Sequence, residues 1–139
     1  MPDVESVALS TLTTLRTGGK PERLVEARSR EELISVLQDV WASGDPWLVL
    51  GGGSNLFVGD DDVEGTVIRI LTSGIEVLPS PRDGYVRVRV QAGHDWDDLV
   101  RTTVDHGYAG IEAMSGIPGT AGAAPIQNVG AYGQEIVQT

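Results

Sequence analysis

Apolar positions recur along this chain in two different periods, and glycine-rich or acidic segments punctuate them. Leu24-Val25-Glu26-Ala27 predicts a short strand. Ser29 followed by Glu32 forms a capping box, and Leu33, Ile34, Leu37, Val40 and Trp41 then share one helical face. Gly44 is placed to end that helix in a left-handed turn, and Asp45-Pro46 prevents its continuation. Trp47-Leu48-Val49-Leu50 is a continuous apolar run, the pattern of a buried parallel strand. The order strand, helix, strand predicts a βαβ unit that runs into Gly51-Gly52-Gly53. Past the acidic loop Asp60-Asp61-Asp62, Thr66 to Ile70 predicts a further strand, and Pro79 to Gly84 a turn.

The second half carries the other period. From Tyr85 to Gln91, Val86, Val88 and Val90 alternate with Arg87, Arg89 and Gln91, as in a half-buried antiparallel strand. Asp95 is placed to cap a second helix carrying Trp96, Leu99, Val100 and Val104, closed by Gly107. Beyond it no period persists to Gly133, and 7 of these 27 positions are glycine. The expected class is α+β, with residues 1–72 and 73–139 as two subdomains. Trp41, Trp47 and Trp96 are expected in or at the edge of the core.

Composition narrows the chemistry. The 139 residues match one domain of roughly 150. Lys+Arg is 10 against Asp+Glu 20, a formal net charge of −10. That balance argues against a nucleic-acid groove and an anionic membrane surface, which recruit cations. It leaves open a phosphorylated ligand held by backbone amides. The chain has no cysteine, so disulfides, thiolate metal sites and a cysteine nucleophile are excluded. No apolar run approaches the ~20 residues of a membrane span, and the expected location is the cytoplasm. His94 and His106 stand twelve apart with no metal-type cluster beside them, so no metal site is expected. Asp95, Asp97 and Asp98 read as an acidic helix start. Nothing speaks to oligomeric state.

Two glycine constellations carry the candidate chemistry. Gly51, Gly52 and Gly53 leave a strand and precede Ser54, Asn55 and Leu56. Consecutive glycines let several N–H groups converge on a phosphate with no Cβ in the way. Leu56 stands where the dinucleotide fingerprint needs its last glycine, and no Gly-Lys-Ser/Thr of a P-loop follows. A phosphate cradle and a flexible turn both fit the pattern. The second constellation runs from Ser115-Gly116-Ile117-Pro118-Gly119-Thr120 through Gly122 to Pro125, and on through Gln127 and Asn128 to Tyr132 and Gly133. Small residues let backbone approach a flat ligand, and Ser115, Thr120, Gln127 and Asn128 add polar groups. A plain surface loop is the alternative. Ser115 lacks the Gly-x-Ser-x-Gly elbow of a nucleophile.

These blocks, in this order, resemble the UDP-N-acetylenolpyruvoylglucosamine reductase family. The residues concerned are Thr13-Thr14-Leu15-Arg16-Thr17-Gly18-Gly19, Gly51 to Leu56, Ala92-Gly93 with Trp96 and Leu99-Val100, Ser115 to Gly119, and Pro125 to Glu135. Ala123-Ala124 stands where many members carry a further glycine. The resemblance implies an FAD-binding domain of the vanillyl-alcohol-oxidase type, two subdomains with FAD between them. Gly51, Gly52, Gly53, Ser54, Asn55 and Leu56 would hold the diphosphate. Ser115, Gly116, Ile117, Pro118, Gly119 and Gly122 would line the isoalloxazine and ribityl chain, with Asn128 and Tyr132 behind that wall.

The implied reaction passes hydride from NADPH to FAD, then to UDP-N-acetylglucosamine enolpyruvate, giving UDP-N-acetylmuramate for peptidoglycan. The family's catalytic arginine, serine and glutamate follow the Gly-Ala-Tyr-Gly block. No catalytic residue is therefore expected within residues 1–139, nor a substrate-binding domain. The alternatives are another flavoprotein of the same fold and a non-catalytic nucleotide-binding fragment.

Overall fold

Ser29 and Glu32 make the helix start that their spacing predicts. Glu32 N–H donates to Ser29 Oγ at 3.2 Å, and Ser29 N–H donates back to Glu32 Oε2 at 3.2 Å. Two otherwise orphaned amides are thereby satisfied, a device that stabilises a helix by about 1 kcal/mol. The helix (α1) runs Arg30–Ser43 and ends on Gly44 at φ +73°. The computed structural model describes residues 3–139, and the chain divides into two compact units, Met1–Thr72 and Ser73–Thr139.

In the first unit the strands β1 (Asp3–Val4), β2 (Pro21–Ala27), β3 (Trp47–Leu50) and β4 (Val63–Ile70) form one sheet. Its order is β1-β2-β4-β3, with β1 antiparallel to β2 and the other pairs parallel. The βαβ expectation therefore holds as a split unit, with β2 and β3 running parallel in one sheet on either side of β4. β4 lies between β2 and β3, because strand order is set by long-range pairing that a local pattern does not encode.

Both faces of the sheet are covered. Val25 and Ile68 pack with Val36 and Val40 of α1. Their neighbours Leu24 and Val67 point to the opposite face and pack with Leu50 and Leu9. Leu9 is fully buried and opens a one-turn 3-10 helix, Leu9–Thr11, so the N-terminal segment forms a third layer.

Three expectations need correcting. α1 buries Val36 and Val40, while Ile34 is 44% and Trp41 64% exposed. β3 is an edge strand in which only Leu50 is buried, and Trp47 and Val49 are 42% and 41% exposed. Of the three tryptophans only Trp96 is core, at 2% exposure.

The second unit pairs β5 (Ile75–Leu78) with β6 (Arg87–Val90) antiparallel. The helix α2 (Trp96–Asp105) starts where Asp98 N–H donates to Asp95 Oδ1 at 2.8 Å. Trp96, Leu99 and Val100 pack with Met114, Ala124 and Val129. Val104 faces outward, and Thr103 takes the inner position instead. A small hairpin, β7 (Gly130–Ala131) and β8 (Gln134–Glu135), completes the unit.

Candidate functional site

The first glycine loop leaves Leu50, the buried end of β3, as a series of bends. Gly53 is buried, with φ +67°, and a Cβ there would collide with the Leu12 carbonyl oxygen. Thr14 N–H donates to Gly53 O at 3.0 Å. The third glycine thus admits the chain's own N-terminal segment, while Gly52 is exposed and Gly51 and Ser54 are half-buried. Leu56 anchors the far end against the Leu9 cluster, and Asn55 is exposed.

The segment that clamps Gly53 is itself tied. Thr13, only 6% exposed, donates its hydroxyl to Thr17 O at 2.8 Å and accepts from Thr17 N–H at 3.2 Å. Arg16 N–H donates to Thr13 O at 3.2 Å, and Arg16 has φ +54°, a region that large side chains rarely occupy. Thr17 Oγ1 is buried without a hydrogen-bond partner. Gly18 and Gly19 join this segment to the acidic loop. Gly18 N–H donates to Asp60 Oδ1 at 3.2 Å, and a Cβ at Gly19 would collide with Asp61 O. A groove of about 660 Å³ lies over the segment, lined by Ser10, Thr11, Thr13, Thr14 and Arg16.

In the second unit the first turn of α2 fixes the second glycine loop. Gly116 N–H donates to Asp97 Oδ1 at 2.6 Å, and Ser115 Oγ donates to the same oxygen at 3.0 Å. These bonds, the Gly116 amide first, hold the Asp97 carboxyl below its ordinary range. Beside them, Trp96 N–H donates to Gly119 O at 3.1 Å and Trp96 Nε1–H to Met114 O at 3.1 Å. Gly116 and Gly119 have φ +78° and +127°. Gly122 N–H donates to Ala92 O at 2.8 Å, and a Cβ at Gly122 would stand 2.7 Å from Ala92 Cβ. Ile117 packs against the unit's core, and Pro118 is exposed.

The remaining expected residues lie further along. Asn128, at φ +47°, donates to Glu135 Oε2 at 3.1 Å and accepts from Val137 N–H at 3.4 Å, so its side chain holds the hairpin together. Tyr132 sits in the hairpin turn at 97% exposure. Two participants carry no role in the sequence reading, the Thr13–Thr17 turn and Asp97. The turn belongs to the Thr13-to-Gly19 motif, but its contact with Gly53 spans about forty residues of sequence. Asp97 is indistinguishable in sequence from ordinary helix-start acidity.

His94 is buried, and Gly74 N–H donates to its Nδ1 at 3.3 Å, with Ser73 Oγ 2.9 Å from the same atom. His94 Nε2 stands 3.1 Å from Asp98 Oδ2 but makes no hydrogen bond to it. Through Nδ1 the ring ties the segment just before α2 to Ser73 and Gly74 at the start of the second unit.

Comparison with known proteins gives the following similarities. A family described as "FAD binding domain" matches residues 21–139. The UDP-N-acetylenolpyruvoylglucosamine reductase of Leifsonia xyli is 60% identical over 129 residues, covering 93% of this chain and 34% of the relative. The same-named protein of Thermobifida fusca is 53% identical over 134 residues, 96% of this chain and 37% of the relative. The crystal structure of UDP-N-acetylenolpyruvylglucosamine reductase from Thermus caldophilus superposes with a TM-score of 0.71 at 33% identity. That superposition covers 95% of this chain and 44% of the Thermus chain. The chain spans about a third of the length of the curated relatives it matches.

Proposed function

From the premise that this chain belongs to the FAD binding domain family, we propose that it is the flavin-holding part of a UDP-N-acetylenolpyruvoylglucosamine reductase. The full enzyme would use NADPH to reduce UDP-N-acetylglucosamine enolpyruvate to UDP-N-acetylmuramate, in the cytoplasm, for peptidoglycan synthesis. The observation that carries this reading is 47–60% identity to proteins of that name across at least 93% of the chain.

The residues fit an FAD diphosphate by their donor chemistry. A diphosphate accepts hydrogen bonds and offers none, so its site needs N–H and O–H groups and tolerates carboxylates poorly. The residues from Gly51 to Leu56, and the groove residues Ser10 to Arg16, include no Asp or Glu. Thr17 Oγ1 is a buried polar group whose donor capacity the chain leaves unused. In this reading Gly51, Gly52, Gly53, Ser54, Asn55 and Leu56 bind the diphosphate. Clamping of Gly53 by Leu12 and Thr14 gives their amides a fixed direction before the ligand arrives.

In the second unit Ser115, Gly116, Ile117, Pro118, Gly119 and Gly122 take the ribityl chain and ring. α2 holds that backbone through Trp96 and Asp97, and Asn128 and Tyr132 belong to the hairpin behind it. When bound, FAD supplies the capacity to accept and deliver hydride. The share of this chain is to bind, orient and exclude water, and none of its residues is assigned a proton transfer.

The test has two parts. Addition of FAD to the protein should give a bound flavin with a shifted visible spectrum. In the longer protein, NADPH oxidation should depend on UDP-N-acetylglucosamine enolpyruvate. A flavoprotein whose NADPH oxidation ignores that substrate would overturn the assigned reaction and keep the cofactor.

A further inference from the structure

The Thr13–Thr17 turn lies outside the residues matched by the FAD-binding family, 21–139, and carries a feature its packing does not explain. Arg16 occupies φ +54°, a conformation that strains a bulky residue more than it would a glycine or asparagine. The turn is not loosely held. Three hydrogen bonds close it between Thr13 and Thr17, and Thr14 N–H fixes it to Gly53. Arg16 is therefore held in place beside the glycine loop.

Charge gives the second argument. Arg23, Arg28 and Arg69 of the same unit are engaged by Asp3 and Glu26. Among the described residues the Arg16 guanidinium, like that of Arg30, has no such partner, though the chain carries twenty carboxylates, and only Arg16 lies beside the glycine loop. The groove it lines offers the hydroxyl residues Ser10, Thr11, Thr13 and Thr14 and no carboxylate. Another concavity of the unit, by contrast, is lined by Glu22, Asp39 and Asp45 together with Arg23.

Resting on the flavin reading above, we infer that Arg16 is a binding residue for the diphosphate, the cation that complements the amides of the glycine loop. A guanidinium offers phosphate oxygens a paired, charge-assisted contact that amides alone do not. The strained backbone of Arg16 is then the cost of aiming that group along the groove.

The experiment compares FAD, riboflavin and inorganic diphosphate on the same protein. In flavin-fluorescence titrations, Arg16→Ala should weaken FAD by roughly tenfold or more and leave riboflavin, which lacks phosphate, unchanged. Arg16→Lys should recover part of the loss, and the wild-type advantage should shrink as salt is raised. Inorganic diphosphate should shift the NMR signals of Arg16 Nε–H and the Thr14 amide. Equal losses for FAD and riboflavin, or unchanged FAD affinity, would overturn the inference. Diphosphate shifts at Arg16 without flavin uptake would keep the anion groove and overturn the flavin reading. Neither shifts nor uptake would overturn both.

Discussion

Asp97 accepts the Gly116 amide proton at 2.6 Å, joining the first turn of α2 to the loop that follows Met114. Ser115 Oγ adds a second bond to the same oxygen. Hydrogen bonds to the ionised form keep the Asp97 carboxyl below its ordinary 3.8, with Gly116 the larger cause, Ser115 next and Arg101 also contributing. A carboxylate lowered on folding stabilises in full above its unfolded value and loses that contribution as pH falls through the lowered one. An NMR titration should therefore place the Asp97 midpoint below 3.8, and protection of the Gly116 amide should disappear over the same interval. In Asp97→Asn that acid-dependent step should be absent. A midpoint at or above 3.8 would show that the lock does not form.

Gly44 and Gly53 both have φ near +70°, yet their surroundings differ. Nothing lies within 4 Å of a Cβ built on Gly44, whereas one built on Gly53 strikes the Leu12 carbonyl. Gly44→Ala should cost only the left-handed penalty of about 1 kcal/mol, and Gly53→Ala about 2–5 kcal/mol because backbone must move as well. Urea unfolding of the two variants checks the difference. Equal losses would mean that the clamp on the glycine loop is absent.

Gly122→Ala should destabilise the second unit by about 1–3 kcal/mol, since Ala92 Cβ, O and Cα all lie within 3.0 Å of the added carbon. The reciprocal change Ala92→Gly relieves the Cβ contact alone. A double-mutant cycle should therefore recover part of the loss and leave the rest.

Leu9→Ala should cost about 2–5 kcal/mol, as expected for a fully buried leucine packed on Leu24, Leu50 and Val67. A near-neutral result would mean that the N-terminal segment does not cover the sheet.

Local signals carried well from sequence to structure. The Ser29–Glu32 box, the Gly44 terminus and the Asp95 cap each depend on residues within one turn of each other. Signals that depend on distant partners did not. The insertion of β4 between β2 and β3 depends on long-range pairing, and it leaves Trp47 and Val49 on an edge. On α1, Val36 replaced Ile34 and Trp41 on the buried face because the sheet covers only a narrow stripe. β5 has no local signature because Ile75 to Leu78 is short and is a strand only through its pairing with β6. In the glycine loop the composition was legible, but Gly53 answers to Leu12, forty-one positions away.

The most direct measurement of the central claim is a fluorescence titration of FAD with the wild-type protein and with Gly52→Val. Gly52 is exposed on the glycine loop, and a β-branched side chain there would fill the phosphate approach without entering the core. Wild type should quench the flavin to a one-to-one end point. The variant, with an unchanged unfolding midpoint, should bind at least about tenfold more weakly. Saturable wild-type binding that Gly52→Val leaves unaltered, or no uptake by wild type at all, would contradict the account.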